Sequence, residues 1–196
     1  MLLLSALLIG CGGNDEPGHV VVLGDSLVFQ ADGNRAPDDA NRLLVTALEE
    51  EGSTVEGGGL IGLSVPAAYE SLWPTIEEQA PDVLVVALGT NDSRDGAIPL
   101  ETSRQALTVW LEEVPSSCVV LVGVNEGTST WGLDVYGPPF NAMLEDVAAD
   151  HPDVRVVQWD PDPAMLGQDG VHLTEVGRVA YRRLIVDAAE SCLSSA

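Results

Sequence analysis

Apolar residues fall into two alternating patterns along the chain. Short runs rich in β-branched residues recur at 19–23, 82–88, 118–124 and 154–159, the last interrupted by Arg155 and Gln158. Runs of this length predict strands, and those without polar interruption predict strands buried on both faces. A weaker strand is expected over 53–56, ahead of the glycine block 57–59, which reads as a turn. Between the runs, apolar residues return at helical spacing. Ala40, Leu43, Leu44, Ala47 and Leu48 predict a helix opened by Asp38 and Asp39, acids that suit the positive end of a helix dipole. Ser64 and Pro66 predict the cap and first turn of a helix running to Glu78, kinked at Pro74. Ala106, Leu107, Trp110, Leu111 and Val114 mark a helix over 101–114, and Phe140, Met143, Leu144, Val147 and Ala148 mark the next. Thr174 is placed to cap a last helix, with Val176, Ala180, Leu184 and Ala188 as its apolar stripe.

Strands alternating with helices imply right-handed βαβ crossovers and a parallel sheet covered on both faces. The expected class is α/β, a three-layer flavodoxin-like sandwich around a five-stranded parallel sheet in the order 2-1-3-4-5. With 196 residues the chain suits one such domain, expected over 19–196. Ligands of these sheets bind beyond the carboxyl ends of the strands, so the segments just after each strand carry the search for chemistry.

Charge narrows the partners. Eight basic residues, all Arg, stand against 31 acids, a net charge of −23. Such a surface repels polyphosphate, so nucleic acid is excluded as a partner. The same field slows the arrival of strongly anionic substrates.

Polar clusters follow the strands. Gly24-Asp25-Ser26-Leu27 stands after the first, Gly57 to Gly62 around the second, Gly89-Thr90-Asn91-Asp92 after the third, and Asp169-Gly170-Val171-His172 between the fifth and the last helix. Hydroxyl, amide, carboxylate and imidazole on one rim are the parts for acyl transfer through a serine ester. These motifs, in this order, resemble those of the SGNH hydrolase (GDSL esterase/lipase) family, over about residues 19 to 190. The resemblance implies an SGNH hydrolase fold with Ser26 as nucleophile, His172 as general base and Asp169 as the carboxylate that orients it. It implies an oxyanion hole formed by the Ser26 N–H, a glycine N–H and the Asn91 side chain. Gly62 fits that glycine by position, and Gly59 is the alternative. With a single motif histidine and no Cys/His spacing, neither a metal nor another cofactor is expected. Segments 93–99 and 125–139 are expected as loops lining the substrate pocket, carrying Arg94, Trp131 and Tyr136.

The start of the chain adds a location. Residues 2–9 form a short apolar run, about 12 Å as a helix and too short to span a bilayer. It ends in Leu8-Ile9-Gly10-Cys11, which resembles a bacterial lipobox, although no Lys or Arg precedes it. The resemblance implies a signal peptide over 1–10, a lipidated Cys11 and a polar tether over 11–18, anchoring the domain outside the cytoplasm. Without lipidation the run reads as a secretory signal. In an oxidising compartment the other cysteines, Cys118 and Cys192, can pair. Cys118 opens the fourth strand and Cys192 ends the last helix, both at the edge of the sheet away from the strand ends that carry the motifs. Two buried free thiols are the alternative.

The combined expectation is a lipid-anchored serine esterase acting on small-molecule, glycan or lipid esters. An O-acyltransferase of envelope polysaccharide and a catalytically idle glycan-binding lipoprotein are the alternatives.

Overall fold

The computed structural model describes residues 17–36, 39 and 41–195. The expected signal run, Cys11 and most of the tether lie outside them. Five strands, β1 (His19–Gly24), β2 (Thr54–Gly59), β3 (Val83–Ala87), β4 (Cys118–Val122) and β5 (Val154–Val157), pair in parallel in the order β2-β1-β3-β4-β5. Among the described residues there are seven α-helices: α1 (Ser26–Ala31), α2 (Leu43–Glu50), α3 (Val65–Gln79), α4 (Thr90–Ser93), α5 (Leu100–Glu113), α6 (Leu133–Ala149) and α7 (Glu175–Leu193). Successive strand residues face opposite sides. Val20, Val22, Val83, Val85 and Val120 accordingly pack with α1, α2 and α7, while Val21, Leu23, Leu84, Val86 and Leu121 pack with α3, α5 and α6. The chain is therefore the three-layer α/β sandwich anticipated from its runs.

Register sets the active rim. Gly24 pairs with both Gly59 and Ala87, so three neighbouring strands end level and release their following segments side by side. At the opposite rim Cys118 and Cys192 form a disulfide, with Cα atoms 5.8 Å apart.

Several local expectations are corrected. The glycine block continues β2 rather than turning, because a Cβ on Gly57 would stand 2.2 Å from the Val22 carbonyl oxygen and one on Gly59 2.1 Å from the Phe29 nitrogen. β2 is a glycine strand because β1 and α1 press on it. Helix α2 starts at Leu43, not at Asp38. Asp39 accepts the N–H of Asn41 in a local turn, and the buried carboxylate of Asp32 accepts the Leu44 N–H while pairing with Arg42. An acceptor supplied by α1 thus decides where α2 begins. Ser64 occupies the N-cap position of α3 but makes no capping bond; the Val65 N–H donates instead to Asp92.

The second half of the expected loop over 125–139 is helical, since a 3₁₀ turn over Thr130–Gly132 leads into α6, which begins at Leu133 and runs through Pro138 and Pro139. Both prolines are exposed, so the carbonyls they leave without helical donors lie on the side open to water. The stripe of α7 is turned by one residue. Gly177, Tyr181, Ile185, Ala188, Ala189 and Cys192 are buried, while Val176 is 62% exposed. Gly177 fixes this rotation, because a Cβ there would stand 2.0 Å from the Met165 carbonyl oxygen.

Candidate active site

β1 turns into α1 without a spacer. A Cβ on Gly24 would lie 2.0 Å from Val28 Cγ2, so only glycine lets the strand end abut the helix. Asp25 caps α1, its Oδ1 accepting the Leu27 N–H at 2.9 Å, and Ser26 becomes the first helical residue, 8% exposed. Burial pushes the Asp25 carboxyl up to about 6, against the Leu27 N–H and the Thr90 hydroxyl, which favour the anion. Its Oδ2 has no hydrogen-bond partner.

His172 arrives from the far end of the chain. Its Nε2 lies 3.3 Å from Ser26 Oγ, and its Nδ1 lies 2.6 Å from Asp169 Oδ2. The other Asp169 oxygen accepts the Val171 and His172 N–H groups. Partial burial raises the Asp169 carboxyl, but its bonds to the His172 ring and to these two N–H groups outweigh that and hold it below its ordinary value. The turn is braced twice. Gly167 donates to the His172 carbonyl at 2.6 Å, and Leu173 donates to Gln30 Oε1 of α1 at 2.7 Å. Gln30 is a positioning residue that motif reading missed, since nothing in its neighbourhood marks it.

The segments after the second and third strands are also bonded to each other near the site. Asn91 Nδ2 donates to the Leu63 carbonyl at 3.0 Å. Leu63 closes a turn onto Leu60 in which Gly62 has φ +81°, a conformation that favours glycine. A Cβ on Gly62 would meet nothing within 4 Å, whereas Gly59 lies under the first turn of α1. Gly62 is thus on an open turn beside Asn91, and Gly59 is packing. Asp92, 2% exposed, is raised by burial and stabilised as an anion by Ser103 Oγ and the Val65 N–H. Its position beside Asn91 suggests chemistry; its partners show a buried strut between α3, α4 and α5.

The three pocket residues lie on neighbouring turns. The Arg94 guanidinium lies 4.4 Å over the Trp131 ring, and Trp131 meets the His172 ring edge-to-face at 5.5 Å. Tyr136 sits on α6, against Gly96 and Gly132. No cluster of three or more His, Cys, Asp or Glu side chains that could hold a metal occurs among the described residues. A hydroxyl in line with an imidazole and a carboxylate, beside an amide and an open glycine turn, is an arrangement able to attack a carbonyl and receive its developing oxyanion.

The comparisons agree on the fold. Solved structures similar to this chain include the psychrotrophic esterase EstA from Pseudoalteromonas sp. (18% identity, covering 90% of this chain and 99% of that one, TM-score 0.71). The acetyl-xylooligosaccharide esterase Axe2 from Geobacillus stearothermophilus is also similar (17% identity, 88% and 94% coverage, TM-score 0.70). So is the C-terminal catalytic domain of peptidoglycan O-acetyltransferase A from Streptococcus pneumoniae (18% identity, 91% and 96% coverage, TM-score 0.69). No curated sequence matches the chain. The model of the GDSL-like lipase/acylhydrolase family matches residues 22–192. With the matched region running from β1 almost to the end of α7, the chain belongs to the GDSL-like lipase/acylhydrolase family and is a serine ester hydrolase of the SGNH type.

Proposed function

We propose that the protein hydrolyses carboxylic esters of small molecules, O-acylated glycans or lipids through Ser26, His172 and Asp169. The supporting observation is the continuous path from Ser26 Oγ to His172 Nε2 and from His172 Nδ1 to Asp169 Oδ2. In this reading His172 takes the Ser26 proton as Oγ bonds to the ester carbonyl carbon. The oxyanion receives the N–H groups of Ser26 and Gly62 and the Asn91 amide. Collapse breaks the bond to the alkoxy oxygen, and His172 returns its proton to the leaving alcohol. Water then attacks the acyl-serine, gives its proton to His172, and releases the acid with Ser26 restored. Asp169 stabilises the imidazolium at both stages. Ser26→Ala should lower p-nitrophenyl acetate turnover by roughly 10³-fold or more, with an unchanged melting temperature. Comparable turnover by both proteins overturns the reading, as does resistance of the wild type to a serine-directed phosphonate.

We further propose that Cys11 carries a lipid anchor that holds the domain at the outer side of a cell membrane. The support is the sequence Leu8-Ile9-Gly10-Cys11 and a disulfide in the domain, a bond characteristic of oxidising compartments. No helix among the described residues is long and apolar enough to cross a membrane. Two or three acyl chains anchor firmly, each buried CH₂ contributing about 0.8 kcal/mol. The wild type should partition into the detergent phase of a phase-separating extract and Cys11→Ser into the aqueous phase. Wild-type protein confined to the aqueous phase excludes the anchor.

A further inference from the structure

One pair of side chains at the site is held more firmly than a general pocket wall requires. The Arg94 guanidinium carbon lies 4.4 Å from the centre of the Trp131 ring, and Trp131 meets the His172 ring edge-to-face. Both side chains leave short 3₁₀ turns with matching backbones. In one, Asp95 (φ +50°) is followed by Gly96 (φ +64°); in the other, Trp131 (φ +57°) is followed by Gly132 (φ +66°). Left-handed conformation in a non-glycine residue costs free energy and persists where the surroundings enforce it. The surroundings here are the ring of Tyr136. A Cβ on Gly96 would lie 2.8 Å from its Cε1, and one on Gly132 3.0 Å from its Cδ2. The two glycines close on one ring, and the two turns are thereby locked together.

Arg94 also differs from other arginines in its partners. Arg35, Arg42, Arg104, Arg178 and Arg183 each pair with a carboxylate, while Arg155 donates to the Ser191 and Ser195 hydroxyls and Arg182 to the Ala31 carbonyl. Among the described residues the Arg94 guanidinium has the Trp131 ring as its partner and neither a hydrogen bond nor an ion pair, in a chain with 31 acids. It is exposed, and a guanidinium held over a ring without other partners keeps its N–H donors for a planar bidentate acceptor. The net charge of −23 opposes anions at long range, but that field is screened over about 8–10 Å at physiological salt, while the Arg94 guanidinium acts at contact.

Resting on the ester-hydrolase reading, we propose that Arg94, presented by Trp131, is a specificity residue for a carboxylate on the alcohol portion of the ester. The side follows from the chemistry. His172 delivers its proton to the leaving oxygen, so the leaving group lies against the imidazole, and Trp131 borders that ring. Asn91 and the Gly62 turn, tied through the Leu63 carbonyl, border the oxyanion instead. One negative charge is favoured over the two of a phosphate monoester, because the protein's own field penalises each.

The test compares 4-acetoxybenzoate with methyl 4-acetoxybenzoate, esters that share the acyl group and ring and differ in the free carboxylate. The ratio of their kcat/KM values should fall on the order of tenfold in Arg94→Gln, about 1.4 kcal/mol, and recover only in part in Arg94→Lys, which restores the charge without the planar fork. An unchanged ratio in Arg94→Gln overturns the assignment while leaving the hydrolase reading intact, provided Ser26→Ala abolishes turnover of both esters. If the wild type cleaves neither ester, the hydrolase reading falls, and binding of 4-hydroxybenzoate, followed by tryptophan fluorescence, decides the matter. Binding lost in Arg94→Gln supports the carboxylate site; equal binding or none refutes it.

Discussion

Asp25 shows how a residue next to the reacting hydroxyl can work against stability. It caps α1 through Oδ1 but leaves Oδ2 buried without a partner, and burial raises its carboxyl to about 6. A carboxyl whose folded value exceeds its unfolded value is most favourable to folding below the unfolded value, where it is protonated in both states. That advantage is lost as pH rises toward and through about 6. The difference from the reference value of 3.8 corresponds to about 3 kcal/mol. Asp25→Asn keeps the acceptor for the Leu27 N–H and removes the charge. Its stability relative to wild type should therefore improve between pH 4 and pH 7, measured as the difference in urea midpoints across that window. A constant difference would mean that the wild-type carboxylate ionises without cost. At this same scale the catalytic candidates were legible because each motif is local: Asp169 and His172 lie three residues apart on one turn. Gln30 and Asp32 were not legible in their roles, since each acts on a partner supplied by another element.

Elements were legible in proportion to how fully they are buried. β3 and β4 are enclosed on both faces, so their apolar runs have no polar interruption to confuse. β2 lies at the sheet edge and is half glycine, and the reason is contact with β1 and α1 rather than any local turn preference. The expected face of α7 fails at Val176, apolar yet 62% exposed, while a glycine occupies the closest contact; Ala180, Leu184 and Ala188 do pack on the core. This helix follows His172 directly and is fastened at its far end by the disulfide. Closing a loop of 74 residues stabilises by about 4 kcal/mol on the chain-entropy model. The double variant Cys118→Ala/Cys192→Ala should lose stability of that order in urea unfolding, while its kcat at low temperature stays near that of wild type, because the bridge lies at the rim away from Ser26. Unchanged stability would show that α7 docks fully through Tyr181, Ile185 and Ala189.

For the whole molecule the dominant fact is a net charge of −23 on 196 residues. Most of the arginines are paired locally, so the remaining acids repel one another across the surface, and compaction works against that repulsion. Salt shortens the range of the repulsion from about 30 Å at 0.01 M to about 3 Å at 1 M. The melting temperature should accordingly rise between 0.01 M and 0.5 M sodium chloride. A fall would mean that surface ion pairs such as Arg104–Asp146 outweigh the net repulsion.

The strand order has a consequence in time. β1, near the start of the described chain, lies inside the sheet with Ser26 at its end, while His172 lies 146 residues later. A growing chain can order its hydroxyl long before any imidazole is available to activate it. In the proposed mechanism reactivity is acquired at once, when the Asp169–His172 turn settles against Gln30 and α7 closes over it. Esters met by the unfinished chain are left uncut, and the first turnover reports that folding is over.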